Sequence, residues 1–278
     1  MTVTLTTLQR RQCLTLAAAL ASTLLLAPAQ AQTFDHSHAA WTGLLKKHVV
    51  LLDGGKASQL RYAGMAADRA ALKAYTDALS ALSAAAFGAW SKPQQQAFLI
   101  NAYNAFTVEL ILTRYPKLDS IKDLGSLFSS HWKPKFVSLL GTQMSLDDIE
   151  HARLRERGRY DDPRVHFAVN CASIGCPMLR EEAFVADRLE AQLEEQTQRF
   201  MADRSRNRLA GGKLELSKIF DWYGDDFKLG HKGIASLPAF AARYAKQLTD
   251  APADQERIRS LKLDIAFLDY DWKLNDAR

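Results

Sequence analysis

Along this chain apolar positions recur at helical spacing in the longer segments and cluster or alternate in short ones. Residues 41–50 read as a first amphipathic helix, broken by Asp53-Gly54-Gly55. Residues 68–86 are Ala-rich with spaced leucines and predict a second helix. Residues 93–115 carry Phe98, Ile100, Phe106, Val108, Ile111 and Leu112, apolar nearly all round, so this helix should be buried. Pro93 suits its first turn, and Tyr115-Pro116 ends it. Residues 136–140 and 143–146 read as a strand and its return around Gly141-Thr142. Ser145 with Asp148 three residues on opens a helix to about residue 157. Residues 164–169 read as a short strand, 185–201 as an amphipathic helix, 214–216 as a strand, 234–247 as a helix and 261–268 as a final strand. The sum is an α+β chain: a helix-rich single domain with a small, mainly antiparallel sheet.

The first 31 residues stand outside this pattern. They hold Arg10-Arg11 and no acid, then the apolar run 14–26, then Ala29-Gln30-Ala31. That is the layout of an export signal, with a loose twin-arginine look, cleaved after Ala31. The run is short for a membrane span, which needs roughly 20 apolar residues. The reading is therefore a signal at 1–31, a globular domain at 32–278, and a periplasmic or secreted protein without a stable membrane span. Cleavage removes two arginines and no acid, so the net charge falls from +5 to +3. With no Lys/Arg block interleaved with aromatics, nucleic acid is not an expected partner. No glycine-rich phosphate loop and no zinc spacing occur, and no cofactor or metal is expected.

Candidate chemistry centres on HFAVNCASIGCP, residues 166–177, which holds Cys171 and Cys176. A cysteine attacks as thiolate and needs a histidine, a cation or a helix N-terminus to lower its pKa. His166 is near in sequence. If 164–169 is a strand, however, residues an odd number apart face opposite ways, and His166 would point away from Cys171. His151, on the preceding helix beside Glu150, is the independent candidate for the base. Signal cleavage also removes Cys13, and the even pair of cysteines left in an exported chain fits a Cys171–Cys176 disulfide equally well. Asn101 and Asn104 lie inside the apolar helix, where a buried amide must be hydrogen-bonded. They either tie the helix to loop backbone, or one of them, Asn101, orients an imidazole or an oxyanion. Asp221, Asp225 and Asp226 surround Trp222 and Tyr223, a composition found both in binding clefts and in ordinary acidic turns.

Five segments, in order, carry a resemblance: FLINAYNAFTVELIL, MSLDDIEHARLR, DPRVHFAVNCASIGCPMLREEAF, LSKIFDWYGDDF and LDYDWKLN. Together, over about residues 93–275, the chain resembles the family called domain of unknown function 547. The resemblance implies a shared fold without an assigned activity. Bacterial members of that family look like exported proteins, and its signature segments point to Glu150, His151, His166 and Cys171. The leading expectation is a cysteine-dependent hydrolase or acyl transferase acting on an amide or thioester. Cys171 is the nucleophile, His151 or His166 the base, Glu150 or Asn101 the orienting group, and backbone N–H groups after Cys171 the oxyanion hole. The alternative is a non-catalytic module that binds peptide or cell-envelope glycan, stapled by a Cys171–Cys176 disulfide.

Overall fold

The computed structural model describes residues 34–125 and 132–278; the export signal read at 1–31 lies outside the described residues. In chain order the first part runs α1 (Ala39–His48), β1 (Val49–Leu52), β2 (Ala57–Leu60), α2 (Tyr62–Ala67), α3 (Arg69–Ser80), α4 (Ala84–Gly88) and α5 (Lys92–Leu112). Then come β3 (Val137–Leu139), β4 (Thr142–Met144), a π-helix (Asp148–Leu154), α6 (Val165–Ala168) and α7 (Leu189–Ala202). The remainder is β5 (Arg208–Ala210), β6 (Lys213–Leu216), α8 (Ile219–Trp222), α9 (Leu237–Arg243), α10 (Ala245–Leu248), α11 (Pro252–Arg259) and β7 (Ile265–Phe267). The helix-rich α+β reading holds, but the strands form three small sheets among the described residues. Two are antiparallel hairpins, β1–β2 and β3–β4, and the third has the order β5-β6-β7 with β6 and β7 parallel.

α5 is the axis of the main core. Ser91 and Gln94 cap it reciprocally, and Pro93 sits in its first turn, where a missing N–H costs no helical bond. Its residues from Gln95 to Val108 are all buried, among them Phe98, Ile100 and Tyr103. α1, α3, the β3–β4 hairpin and the π-helix pack around it. A second core is aromatic, built from Phe167, Phe200, Phe220, Phe227 and Phe240, with Phe227 and Phe240 edge to face at 4.8 Å.

Several elements depart from the sequence pattern. The residues after α1 form the β1–β2 hairpin, whose turn needs Gly54 and Gly55 at positive φ. The stretch read as one helix over 68–86 is α3 and α4, and that over 234–247 is α9 and α10. The largest correction is 164–169, which is not a strand. Asp162 accepts the Arg164 N–H, and its carbonyl accepts the Val165 N–H, so Asp162-Pro163 starts a turn of helix. Arg164 is then buried in ion pairs with Asp162, Glu190 and Glu194, which fix α6 against α7.

Residues 270–277 form a strap without regular structure. It runs between the β1–β2 hairpin and the cysteine turn, bonding both. Leu60 N–H donates to Asn275 O (2.9 Å), and Asn275 N–H donates to Ala172 O (3.0 Å). Ile174 N–H reaches Lys273 O and Gly175 N–H reaches Asp271 O, each at 2.8 Å. Only glycine fits at 175: a Cβ there would lie 2.9 Å from both the Asp271 nitrogen and the Tyr270 ring.

Candidate active site

Where these elements meet, a cleft of about 350 Å³ opens. The π-helix supplies Asp147, Glu150 and His151; α6 and the turn after it supply His166, Cys171 and Cys176. α8 and the residue following it bring Trp222 and Tyr223, the strap brings Tyr270 and Trp272, and α5 brings Tyr103. Tyrosines and tryptophans mix in the walls with a set of charged and titratable groups, a make-up that suits a small-molecule site. Of the predicted residues, Glu150, His151, His166 and Cys171 come together here, and Asn101 does not.

Cys171 and Cys176 are both free thiols. Cys171 is partly buried. Its sulfur lies 3.1 Å from Ser173 Oγ and 3.0 Å from Tyr270 Oη, and those two hydroxyls are 2.7 Å apart. Hydrogen bonding from the Cys176 thiol, then from Ser173 and Tyr270, outweighs burial and pulls the Cys171 thiol down to about 7. Cys176 is only 5% exposed. Its sulfur accepts the Cys171 N–H at 3.0 Å, and burial pushes its own pKa well above the ordinary thiol value. Burial likewise raises Tyr103 and Tyr270, so both phenols stay protonated and can donate.

The turn's backbone N–H groups do not form the predicted oxyanion hole. Ala172 N–H donates to Asn170 Oδ1, Ile174 and Gly175 donate to the strap, and Cys176 N–H donates to Ser173 O. The Ser173 N–H serves the Cys171 sulfur. With those donors occupied, the hydrogen-bond donors nearest the Cys171 sulfur are the hydroxyls of Ser173 and Tyr270.

His166 is buried, and because α6 is helical the strand-parity objection to it falls. Its Nε2 lies 2.8 Å from Asp226 Oδ2, and its ring stacks on Tyr223 at 3.9 Å between centroids. Asp226 is also held by Arg155, whose Nε and Nη2 donate at 2.6 and 3.2 Å. Burial opposes the ionised Asp226 carboxylate, but the bonds from His166 and Arg155 hold its pKa well below the usual range. Burial also lowers the His166 pKa despite Asp226, so the ring is neutral near pH 7. The carboxylate takes the Nε2–H, which leaves Nδ1 as the acceptor.

The π-helix carries the other two predicted groups. Its wide turn, with Arg155 N–H on Glu150 O at 3.0 Å, is a distortion often found at functional sites. Ser145 and Asp148 cap the segment reciprocally, as their spacing predicts. Glu150 is buried against Tyr223, whose pKa rises through burial and then through Glu150. His151 sits at the exposed rim and accepts a hydrogen bond from Arg155 Nη1 at 2.6 Å. Among the described residues, no imidazole hydrogen-bonds to the Cys171 sulfur.

The two buried asparagines of α5 are backbone clamps. Asn101 donates to Phe184 O at 2.7 Å and accepts its N–H at 3.0 Å, so its amide is used up away from the cleft. This corrects the orienting role considered for Asn101. Asn104 grips the cysteine segment itself: it donates to Ala168 O at 2.9 Å and accepts the Asn170 N–H at 2.8 Å. Tyr103, Trp132, Tyr270 and Trp272 were not read as site residues. The signal for Tyr103, Tyr270 and Trp272 is present only as aromatics in FLINAYNAF and LDYDWKLN, and Trp132 lies outside both segments. Asp226 was singled out, but nothing local to it pointed to His166, 60 residues earlier. No group of three or more His, Cys, Asp or Glu side chains among the described residues is placed to hold a metal ion.

Residues 87–201 match the model of a family described as Protein of unknown function, DUF547. No curated protein and no solved structure matches the chain. The matched segment contains α5, the π-helix, both histidines of the cleft and both cysteines; Asp226, Tyr270 and Trp272 lie beyond it. The helix, imidazoles and thiols of the cleft all lie inside the segment, residues 87–201, that is similar to the DUF547 family of proteins of unknown function.

Proposed function

We propose that this protein is an exported, periplasmic or secreted, cysteine-dependent hydrolase or acyl transferase acting on an amide or thioester. One observation carries the reading: a free, partly buried Cys171 with a lowered pKa shares a cleft with a neutral, carboxylate-held His166. Near pH 7 about half of such a thiol is thiolate. The Cys171 sulfur attacks the carbonyl carbon, and the oxyanion that forms is met by the Tyr270 or Tyr103 hydroxyl. His166 carries the proton on Nδ1 while Asp226 stabilises the resulting imidazolium, and it returns that proton to the departing amine or thiolate. The acyl group on Cys171 then passes to water or to an acceptor nucleophile. The test is covalent capture. Reduced protein is treated with a thioester or activated-amide acyl probe and digested with trypsin, which releases residues 165–180, holding both cysteines, in one peptide. The acyl group should appear on Cys171 and vanish in Cys171→Ser. An unmodified peptide from the reduced wild type ends the proposal.

A second reading, a binding module for peptide or cell-envelope glycan, is favoured by one feature. Trp222 is 44% exposed and packs with Tyr270 at 4.9 Å and Trp272 at 5.4 Å, which gives the cleft mouth a stacking surface. The free thiols do not support its disulfide staple. Titration of tryptophan fluorescence with cell-wall glycan fragments and short peptides decides it. Saturable binding that Trp222→Ala abolishes supports the module; no binding to either class removes it.

A further inference from the structure

The acyl chemistry uses Cys171 as its nucleophile and asks of Cys176 only that it lower its neighbour's pKa. Yet Cys176 is built into the same turn with care. Asn170 Nδ2 donates to Pro177 O at 2.7 Å and so ties the two ends of the turn together. Asn104 holds its start from α5, Arg206 bonds the Cys176 carbonyl, and the strap holds its middle. Within that frame the Cys176 sulfur sits under the Cys171 N–H at 3.0 Å, and its own S–H faces the Val169 carbonyl at 3.8 Å. Their surroundings are unequal. Cys171 faces the cleft among hydroxyl donors, whereas Cys176 lies behind it and is more deeply buried.

We infer that Cys171 and Cys176 form a reversible dithiol–disulfide couple that exchanges with low-molecular-weight disulfides of the glutathione class, Cys171 attacking and Cys176 resolving. The inference goes beyond acyl transfer and stands without it, because it needs only a nucleophilic Cys171. The Cys171 thiolate attacks one sulfur of the small disulfide; that S–S bond breaks and the first small thiolate leaves, taking a proton from water. Cys176 then gives up its proton to solvent, and its sulfur attacks the Cys171 sulfur of the mixed disulfide. The second small thiolate departs and is protonated in turn. Two protein thiols are oxidised to one disulfide, and one small disulfide is reduced to two thiols, so atoms and electrons balance. The lowered pKa of Cys171 suits both halves: such a thiol attacks well near neutral pH and, in the reverse direction, leaves well.

The experiment equilibrates the reduced full chain with mixtures of reduced and oxidised glutathione. It is then quenched in acid, alkylated and digested, and the 165–180 peptide is weighed. The expected wild-type result is a single step from two alkylated cysteines to none, with loss of two hydrogens and no lasting glutathione adduct. A lasting adduct on Cys171 with Cys176 still alkylatable overturns the inference, as does a peptide that never oxidises. Cys176→Ser and Cys176→Ala should accumulate one adduct on Cys171, and Cys171→Ser should leave Cys176 unreacted; an adduct on Cys176 in that variant reverses the assigned roles and overturns the inference. If a variant fails to fold, the wild-type titration alone decides. Acyl labelling of the reduced protein is read separately. Its absence removes the acyl-transfer proposal and leaves the couple, while labelling without glutathione exchange removes the couple alone.

Discussion

His166 and His38 are buried to the same degree, each 2% exposed, and both have pKa values lowered first by burial. Their regions differ in everything else. His38 closes on Tyr75 Oη at 2.7 Å and packs against Phe34 in an aromatic box at the start of α1. His166 has a carboxylate on one ring nitrogen, an arginine behind that carboxylate, and an open cleft with two thiols. A depressed histidine pKa therefore says only that a ring is dry. Chemistry requires the second feature, a fixed partner on one nitrogen and space at the other.

The largest expected effect separates the two rings by function. In the acyl-transfer assay His166→Gln should slow turnover by about 10²- to 10⁴-fold, the usual worth of a general base. His38→Gln should leave the rate of the folded protein unchanged. Equal losses in both variants would dissolve the comparison.

Next in size is an effect on stability. The His38 pKa falls to about 4 in the folded chain, against about 6.5 unfolded. Its contribution is complete above the unfolded value and is lost as pH falls through the folded one. Between pH 6.5 and 4 this amounts to about 3 kcal/mol. Urea unfolding at pH 7 and pH 4 should show that loss in the wild type and much less of it in His38→Gln. An identical pH dependence in both proteins would show that His38 is not the titrating group.

The smallest effect tests the hydroxyl shell of Cys171. Tyr270→Phe removes one donor and should raise the Cys171 pKa by about one unit, worth about 1.4 kcal/mol. The pH profile of iodoacetamide alkylation, read on the 165–180 peptide, measures it. An unmoved midpoint would mean that Ser173 and Cys176 hold the thiolate without Tyr270.

What was legible in the sequence follows the range of the forces involved. α5 could be read because its apolar residues, Pro93 and the terminating Tyr115-Pro116 are all local. So could the β3–β4 hairpin around Gly141 and the Ser145–Asp148 cap. α6 was misread because Val165, Phe167 and Val169 look β-like; the decisive partners of Arg164, Glu190 and Glu194, lie on α7. That single error turned His166 away from Cys171 on paper. The cleft itself was half visible. Glu150, His151, His166 and Cys171 belong to neighbouring segments, whereas Asp226, Tyr270 and Trp272 arrive from the far end of the chain. Asn101 and Asn104 were seen as a pair, but only tertiary contacts say which of them holds the cysteine segment.

The strap fixes the order in which the thiol can mature. Tyr270 follows Cys171 by 99 positions. At about 5–20 residues per second, a ribosome makes Tyr270 roughly five to twenty seconds after Cys171. During that interval the nascent chain holds both cysteines without the phenol that polarises one of them and without the backbone that shapes their turn. The share of nucleophilic poise that Tyr270 supplies is thus a property of the finished strap, and a chain caught partway through synthesis lacks it.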